Sequence, residues 1–330
     1  METKAGPLTP SLDHVHAGGA TTRTAVSQWG KFDTADHAQH GNRYAEWTAA
    51  LRKADLLPVE QLVPAITVPD CGALRPAMAL AQSRPLDPAL LAQIRAHQWG
   101  YWFDLGHGQS TLGETAAETG AQRTARQRML YRMNAINGAV MALYGGALEG
   151  RRVLDLACNH GAFSLDLLAR GAAQARGVDL RRENIAKAGL LARHLGAVNA
   201  EFVQGDIYAE VEGRYDIVLC LGLMYHVTRP WELVELCYRL CTGMAVIDTI
   251  THREPFSGFL LGFGQLIPQE HAAGAINAEL HPTYRGLIDL MRGVGFREVI
   301  EVEGVPDPSW VNWEKDVYAV KLRRCLIGLK

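Results

Sequence analysis

The sequence predicts an α/β protein: an open, doubly wound sheet of seven strands with an antiparallel last strand, preceded by a mainly helical N-terminal region. Three observations predict it. From Arg152 onward, short and almost wholly apolar runs alternate with helix-length segments, as in a parallel sheet covered on both faces. Several of these runs end in Asp or Gly, residues suited to tight strand-to-helix turns. The 330 residues carry 48% hydrophobic side chains and 33 Lys plus Arg against 35 Asp plus Glu, which supplies a full core and excludes the disordered and collagenous classes.

Taken in order, residues 1 to about 40 show no sustained apolar period and read as an arm, whose His14, His16, His37 and His40 are too irregularly spaced to suggest a metal. Helices are expected at about 42–55 and 87–98, the second opening on Asp87 before Pro88. GYWFDLGHGQSTLGE reads as a short aromatic strand turning at Gly106 and Gly108. A helix with a break follows over about 114–144 and carries Arg123, Arg126, Arg128, Tyr131 and Arg132. Residues 1–150 thus form a substrate or cap region, and 151–330 the sheet domain.

In that domain, strands are expected at VLDLA (153–157), ARGVDL, AEFVQGD, YDIVLCLG and MAVIDT. Helices separate them at about 162–170, at RENIAKAGLLARHLG and at PWELVELCYRLC. An insert at about 251–281 is too long for a plain connection and apolar in its first half, which suggests a lid. Helix TYRGLIDLMRGVG and strands at about 296–303 and 317–323 close the sheet.

The formal net charge of -2 gives no general attraction for nucleic acid or anionic membrane. No apolar run reaches signal-peptide or membrane-spanning length, so a cytoplasmic location is expected. The six cysteines are scattered and read as reduced, buried thiols; Cys237 and Cys241 share a helix face without a second ligand pair, so no metal site is expected. The aromatic N-terminal region leaves room for a homodimer.

The chemistry lies at strand ends, where ligands of open parallel sheets bind. In VLDLACNHGAF, Asp155 ends the strand, small Ala157 and Gly161 allow close backbone approach, and Asn159 tolerates the angles of a tight turn. The loop lacks the Gly-x-Gly-x-x-Gly and Gly-Lys-Ser/Thr patterns of dinucleotide and triphosphate sites. Asp179 ends the next strand, where a carboxylate can accept from both hydroxyls of a ribose. Asp206 and Ile207 end the third, suited to the amino edge of adenine. The fourth runs into CLGLMYHV, at the mouth where a transferred group meets its acceptor.

LDLACNHGAFSLDL, GVDLRRENIAKA, FVQGDIY and DIVLCLGLMYHVTRP together resemble the class I S-adenosylmethionine-dependent methyltransferases over about residues 151–324, in matching order. The nearest branch contains the tRNA wobble-uridine methyl and carboxymethyl transferases and many small-metabolite methyltransferases, and WFDLGHGQSTLGE resembles the strand and turn preceding its Rossmann-like domain. The resemblance implies that Asp155, Ala157, Asn159 and Gly161 surround the methionine part of the cofactor. It puts Asp179 at the ribose, Asp206 and Ile207 at adenine, and Leu221 and Gly222 beside the sulfonium, with Leu180 also in contact with the cofactor. Ala157 stands where the family commonly has glycine, and Asn159 and His160 where it has small residues, so a tighter loop is expected. The seven lysines, none just before the sheet domain, and the lack of a basic run count against a carboxylated cofactor and against RNA.

A sulfonium methyl is already activated, so positioning is the principal catalytic task. Tyr225 is the expected substrate contact, and His226 the candidate base or else a packed strand-end histidine. Trp99, Tyr101, Trp102, Tyr131 and Arg132 are candidate substrate walls, one arginine turning inward to an acceptor carboxylate. Trp310 and Trp313 read as core or interface anchors, and Glu270 and His271 as surface groups. The leading function is methyl transfer to a small, carboxylated or specialised metabolite; the alternatives are a tRNA methyltransferase and a non-catalytic binding protein that keeps the cofactor fold.

Overall fold

A computed structural model describes residues 61–72, 76–263, 278–310 and 312–330. Its elements begin with β1 (Ala65–Val68), α1 (Pro76–Ser83), α2 (Pro88–Arg95), β2 (Asp104–Gly106), β3 (Gln109–Ser110), β4 (Gly113–Glu114) and α3 (Gly120–Leu143). The alternating part follows: β5 (Arg152–Leu156), α4 (Ala162–Ala169), β6 (Gln174–Asp179), α5 (Arg182–Leu195), β7 (Ala200–Gln204), β8 (Tyr215–Leu221), α6 (Pro230–Leu240) and β9 (Cys241–Ile250). It closes with β10 (Phe259–Phe263), β11 (Ala278–Pro282), α7 (Tyr284–Gly293), β12 (Glu298–Gly304) and β13 (Arg323–Leu329).

The large sheet has the order β1-β12-β13-β9-β8-β5-β6-β7. β13 runs antiparallel between β12 and β9, while β7, β6, β5, β8 and β9 are parallel. The expected doubly wound sheet with its antiparallel last strand is therefore present. An eighth strand, β1, unanticipated from the sequence, adds to β12 in parallel. Because the chain leaves β5 on one side and returns through β8 on the other, a crevice opens beyond the ends of these two strands.

Local chemistry sets the element boundaries. Asp87 accepts from the Ala89 N–H at 2.8 Å and Pro88 supplies the first turn of α2. The break expected in the long arginine-bearing helix falls at Thr119, which forms a reciprocal capping box with Gln122. Gly196, at φ 61, ends α5. β5 is buried from Val153 to Leu156, consistent with helices on both faces. Leu233, Val234, Leu236, Cys237 and Leu240 turn one side of α6 inward.

Two expectations change. The final strand is Arg323–Leu329, not 317–323: the alternating VYAVKLR forms a turn, in which Leu322 N–H donates to Val317 O at 2.9 Å and Lys321 has φ 57. RRCLIGL, with its inner five residues buried, is the strand covered on both faces. Cys241 starts β9 rather than ending α6, so it shares no helix face with Cys237. The insert contributes an antiparallel pair, β10 and β11; its Glu270 and His271, like the arm and the helix expected at 42–55, lie outside the described residues.

The region before the sheet is tied to it by polar bonds. Asp166 on α4 accepts from the Ala77 N–H at 3.1 Å, from Asn137 Nδ2 at 3.0 Å and from Arg170 Nε at 2.6 Å. Gly161, at the N-terminus of α4, packs so closely that a Cβ built there would lie 2.4 Å from Phe202 Cζ, at φ +72. Gly161→Ala is therefore expected to destabilise the protein by about 2 kcal/mol, from crowding and left-handed strain together. Chemical denaturation measures this directly; an unchanged midpoint would refute the packing argument.

Candidate functional site

Beyond β5, residues 157–161 form a loop with three left-handed positions: Ala157 at φ 56, Asn159 at φ 52 and Gly161 at φ 72. Strain at the two non-glycine positions costs about 1 kcal/mol or more each and persists only where the surroundings hold it. Here they do. Cys158 N–H donates to Val178 O at 3.0 Å, Gly161 N–H to Cys158 O at 2.8 Å, and Asn159 N–H to Asp179 Oδ2 at 2.9 Å.

Asp179 also accepts at Oδ1 from Arg181 N–H at 2.9 Å and Asn184 Nδ2 at 3.0 Å. It thus clamps the β5 loop to the β6 loop, a role the sequence did not announce. A carboxylate has about four acceptor positions, so Oδ2 keeps one for a ligand hydroxyl. Asp155 is buried and accepts from Ser164 Oγ at 2.5 Å. Burial pushes its carboxyl up to about 7; the Ser164 bond opposes this, and the nearby Asp179 charge adds to it. Farther along the rim, Ile207 is buried, Asp206 is exposed and accepts from the Tyr208 N–H at 2.9 Å, and Leu180 is 48% exposed.

The other side of the crevice centres on Asp248, near the end of β9 and fully buried. Its Oδ1 accepts from Arg132 Nη2 at 3.1 Å, from Arg323 Nε at 2.7 Å and from Arg323 Nη2, and its Oδ2 from Tyr318 OH at 2.7 Å. Burial opposes its ionisation, but Arg323, Arg132 and these bonds prevail and hold its carboxyl below the usual range. Arg323 Nη1 reaches on to Tyr225 OH at 3.2 Å. Gly222, just past Leu221, donates its N–H to Asp248 O at 2.7 Å, and a Cβ on it would lie 2.7 Å from Arg323 Nη2. Glycine is what lets the guanidinium lie against the main chain.

Tyr225 and His226 occupy a short 3-10 turn, their rings 4.2 Å apart. Glu279 on β11 approaches both neighbouring imidazoles: Oε1 is 3.6 Å from His226 Nδ1, and Oε2 is 2.9 Å from His281 Nε2. Asp248, Arg323, Tyr318 and Glu279 escaped the sequence reading. Asp248 alone had a signal, since it is an acidic residue near the end of the apolar run MAVIDT, as Asp155 is in VLDLA.

The expected walls separate into different roles. Arg132 turns inward but meets Asp248, while Arg126 is paired with Glu118 at 2.9 Å and Arg128 with Asp316 at 2.9 Å. Tyr131 OH accepts from the Gly304 N–H at 3.1 Å and its ring lies 4.6 Å from Trp313; burial pushes its phenol well above the ordinary range. Trp102 is in the core, and Trp99 donates its indole N–H to Ile94 O at 2.9 Å. Tyr101 is 39% exposed. The crevice therefore gathers Asp155, the 157–161 loop and Asp179 on one side, and Gly222, Tyr225, Arg132 and Arg323 on the other. Among the described residues no cluster of His, Cys, Asp or Glu could hold a metal, and no helix is long and apolar enough to cross a membrane.

The Asp155 shift has a consequence for stability. Its folded pKa exceeds the unfolded value, so the native state binds the extra proton and stability falls as pH rises from about 4 to about 7, then levels off. Asp155→Asn is expected to remove that slope and to gain most over the parent above pH 7, in melting curves taken across this range; parallel curves would contradict the assignment.

Comparison with known proteins agrees with this geometry. Residues 153–242 match the family model described as a methyltransferase domain. The chain is 29% identical over 192 residues to the ubiquinone biosynthesis O-methyltransferase of Bordetella parapertussis, spanning 51% of this chain and 75% of that protein. It is 31% identical over 160 residues to the enzyme of the same name from Psychrobacter arcticus, spanning 44% and 62%. Among solved structures, the N-terminal domain of EvdMO1, crystallised in the presence of SAH and D-fucose, has a TM-score of 0.53 at 20% identity and covers 75% of this chain and 98% of its own. The residues present fit such a cofactor: a strand-end carboxylate with a spare lone pair, a left-handed loop at a helix N-terminus, and a glycine at the facing strand end. With the strand order described above, residues 153–242 belong to a class I, S-adenosylmethionine-dependent methyltransferase domain, and the protein is a methyltransferase that uses this cofactor.

Proposed function

We propose that the protein methylates a hydroxyl of a small acceptor that also carries a carboxylate or similar anion. The observation that carries this reading is the pairing of two guanidiniums, Arg132 and Arg323, with the single buried carboxylate of Asp248. One positive charge is left over at the crevice mouth, beside Gly222 and Tyr225. In a low-dielectric setting that excess favours an anion, and Arg323 with the Tyr225 hydroxyl offers it donors. Oxygen as the acceptor atom is supported by the names of the O-methyltransferase relatives, and a small acceptor by the sugar present with EvdMO1.

When bound, the cofactor supplies an activated methyl on a sulfonium. Asp155, Ala157, Asn159 and Gly161 would hold its methionyl part, Asp179 and Leu180 its ribose, Asp206 and Ile207 its adenine, and Leu221 and Gly222 would border the sulfonium. The chain then has to align the acceptor, exclude water and accept one proton. Tyr225 and Arg323 align the anion. His226 receives the hydroxyl proton, and Glu279, 3.6 Å from its Nδ1, favours the imidazolium that results.

The test is calorimetry with S-adenosylhomocysteine followed by kinetics on a panel of hydroxylated carboxylic acids. Asp179→Ala should weaken the cofactor product's binding by about tenfold or more. His226→Asn should leave that binding intact and lower kcat by about 10²-fold or more. Tyr225→Phe should raise KM for acidic acceptors and spare their neutral analogues. Equal rates on acidic and neutral acceptors in the parent enzyme would refute the anion reading, and turnover of tRNA but of no small acceptor would replace it.

A further inference from the structure

His160 sits inside the cofactor loop, between the left-handed Asn159 and Gly161, and is 3% exposed. Its ring is flanked by Trp99 at 5.8 Å and Tyr101 at 5.4 Å. Neither Nδ1 nor Nε2 has a hydrogen-bond partner among the described residues. A buried imidazole in that condition is costly, because both its donor and its acceptor are withdrawn from water without replacement. Trp99 has spent its own indole N–H on Ile94 O, so the aromatic neighbours supply packing and no partner.

The surrounding field limits what can complete this group. Burial, with Lys187 and Arg132 nearby, pushes the imidazole down to about 3, so at neutral pH it is uncharged, with one N–H to donate and one nitrogen to accept. Lys187 is paired with Glu183 at 2.8 Å and Arg132 with Asp248 at 3.1 Å, so what the imidazole offers a ligand here is its hydrogen bond and not a spare charge. Tyr101 is the half-exposed side of the enclosure, and its hydroxyl makes no hydrogen bond among the described residues, so this ring can turn aside at little cost.

We propose that His160 is a carboxylate-binding residue of the cofactor cleft, whose neutral imidazole donates its N–H to the α-carboxylate of the methionyl end of the cofactor. The proposal rests on the cofactor assignment and deepens it. The loop that carries His160 is the one assigned to the methionyl part, and the acceptor's anion is assigned to Arg323 and Tyr225 on the facing side. An acceptor carboxylate shares the same chemistry, so the test separates the two sources.

Calorimetry on the full chain would compare S-adenosylhomocysteine with 5′-methylthioadenosine, which keeps the adenosine and thioether but lacks the amino-acid end. His160→Phe, which preserves a ring between Trp99 and Tyr101, should weaken S-adenosylhomocysteine about tenfold and leave 5′-methylthioadenosine unchanged. His160→Asn, which keeps an N–H donor, should recover part of the loss. The ligand-free His160→Phe protein should melt no lower than the parent, whereas a merely structural histidine would leave it destabilised.

Equal weakening of both ligands, or of neither, would overturn the proposal. So would a rise confined to acceptor KM, which would assign the imidazole to the acceptor's carboxylate instead. If the parent protein binds neither ligand, the cofactor assignment itself fails, an outcome distinct from a parent that binds both and a variant that matches it.

Discussion

Asp248 is a carboxylate with no solvent exposure, and the crevice mouth is organised around satisfying it. A charge taken that far from water is tolerable only when paired and hydrogen-bonded; removing one partner from such a pair costs about 3–5 kcal/mol. Its partners come from distant stretches of chain: Arg132 from the long helix before the sheet, Tyr318 from the turn after β12, and Arg323 from the first position of β13. Each is oriented by the need to meet that one group. The long helix α3, the antiparallel strand and, through Arg323 to Tyr225, the 3-10 turn after β8 are thereby fixed relative to β9.

Asp179 plays the corresponding part on the facing wall. By accepting main-chain N–H groups from the loops after β5 and β6, it holds the left-handed backbone of Ala157 and Asn159. The strain of that loop and the bonds that maintain it belong together, since without the clamp a non-glycine residue would relax toward ordinary angles. The crevice therefore has one carboxylate organising each wall.

Much of this was legible in the residues, and the parts that were not share a cause. VLDLA, GVD and YDIVLCLG declare their strands because a doubly covered strand must be apolar along its whole length, and Asp155 and Asp179 mark the crevice at the ends of the first two. Thr119 and Asp87 declare helix starts through local bonds alone. The closing strand was misplaced because VYAVKLR alternates as a half-exposed strand would, whereas the inner position went to the less patterned RRCLIGL. Arg323, Tyr318 and Glu279 acquire meaning only through partners 75, 70 and 53 positions away, counting Arg323 and Tyr318 to Asp248 and Glu279 to His226. No local pattern encodes such pairings, and the structural duty of Asp179 was hidden behind its expected functional one.

The position of β13 bears on how the molecule comes into being. This strand lies between β12 and β9, yet it follows both in the chain. Residues 323–329 bridge β9 and β12, and the same residues deliver Arg323 to its carboxylate. Non-local pairing of this kind is slow and leaves apolar edges open to wrong partners. Closing the sheet and neutralising Asp248 are thus tasks of one and the same seven-residue strand.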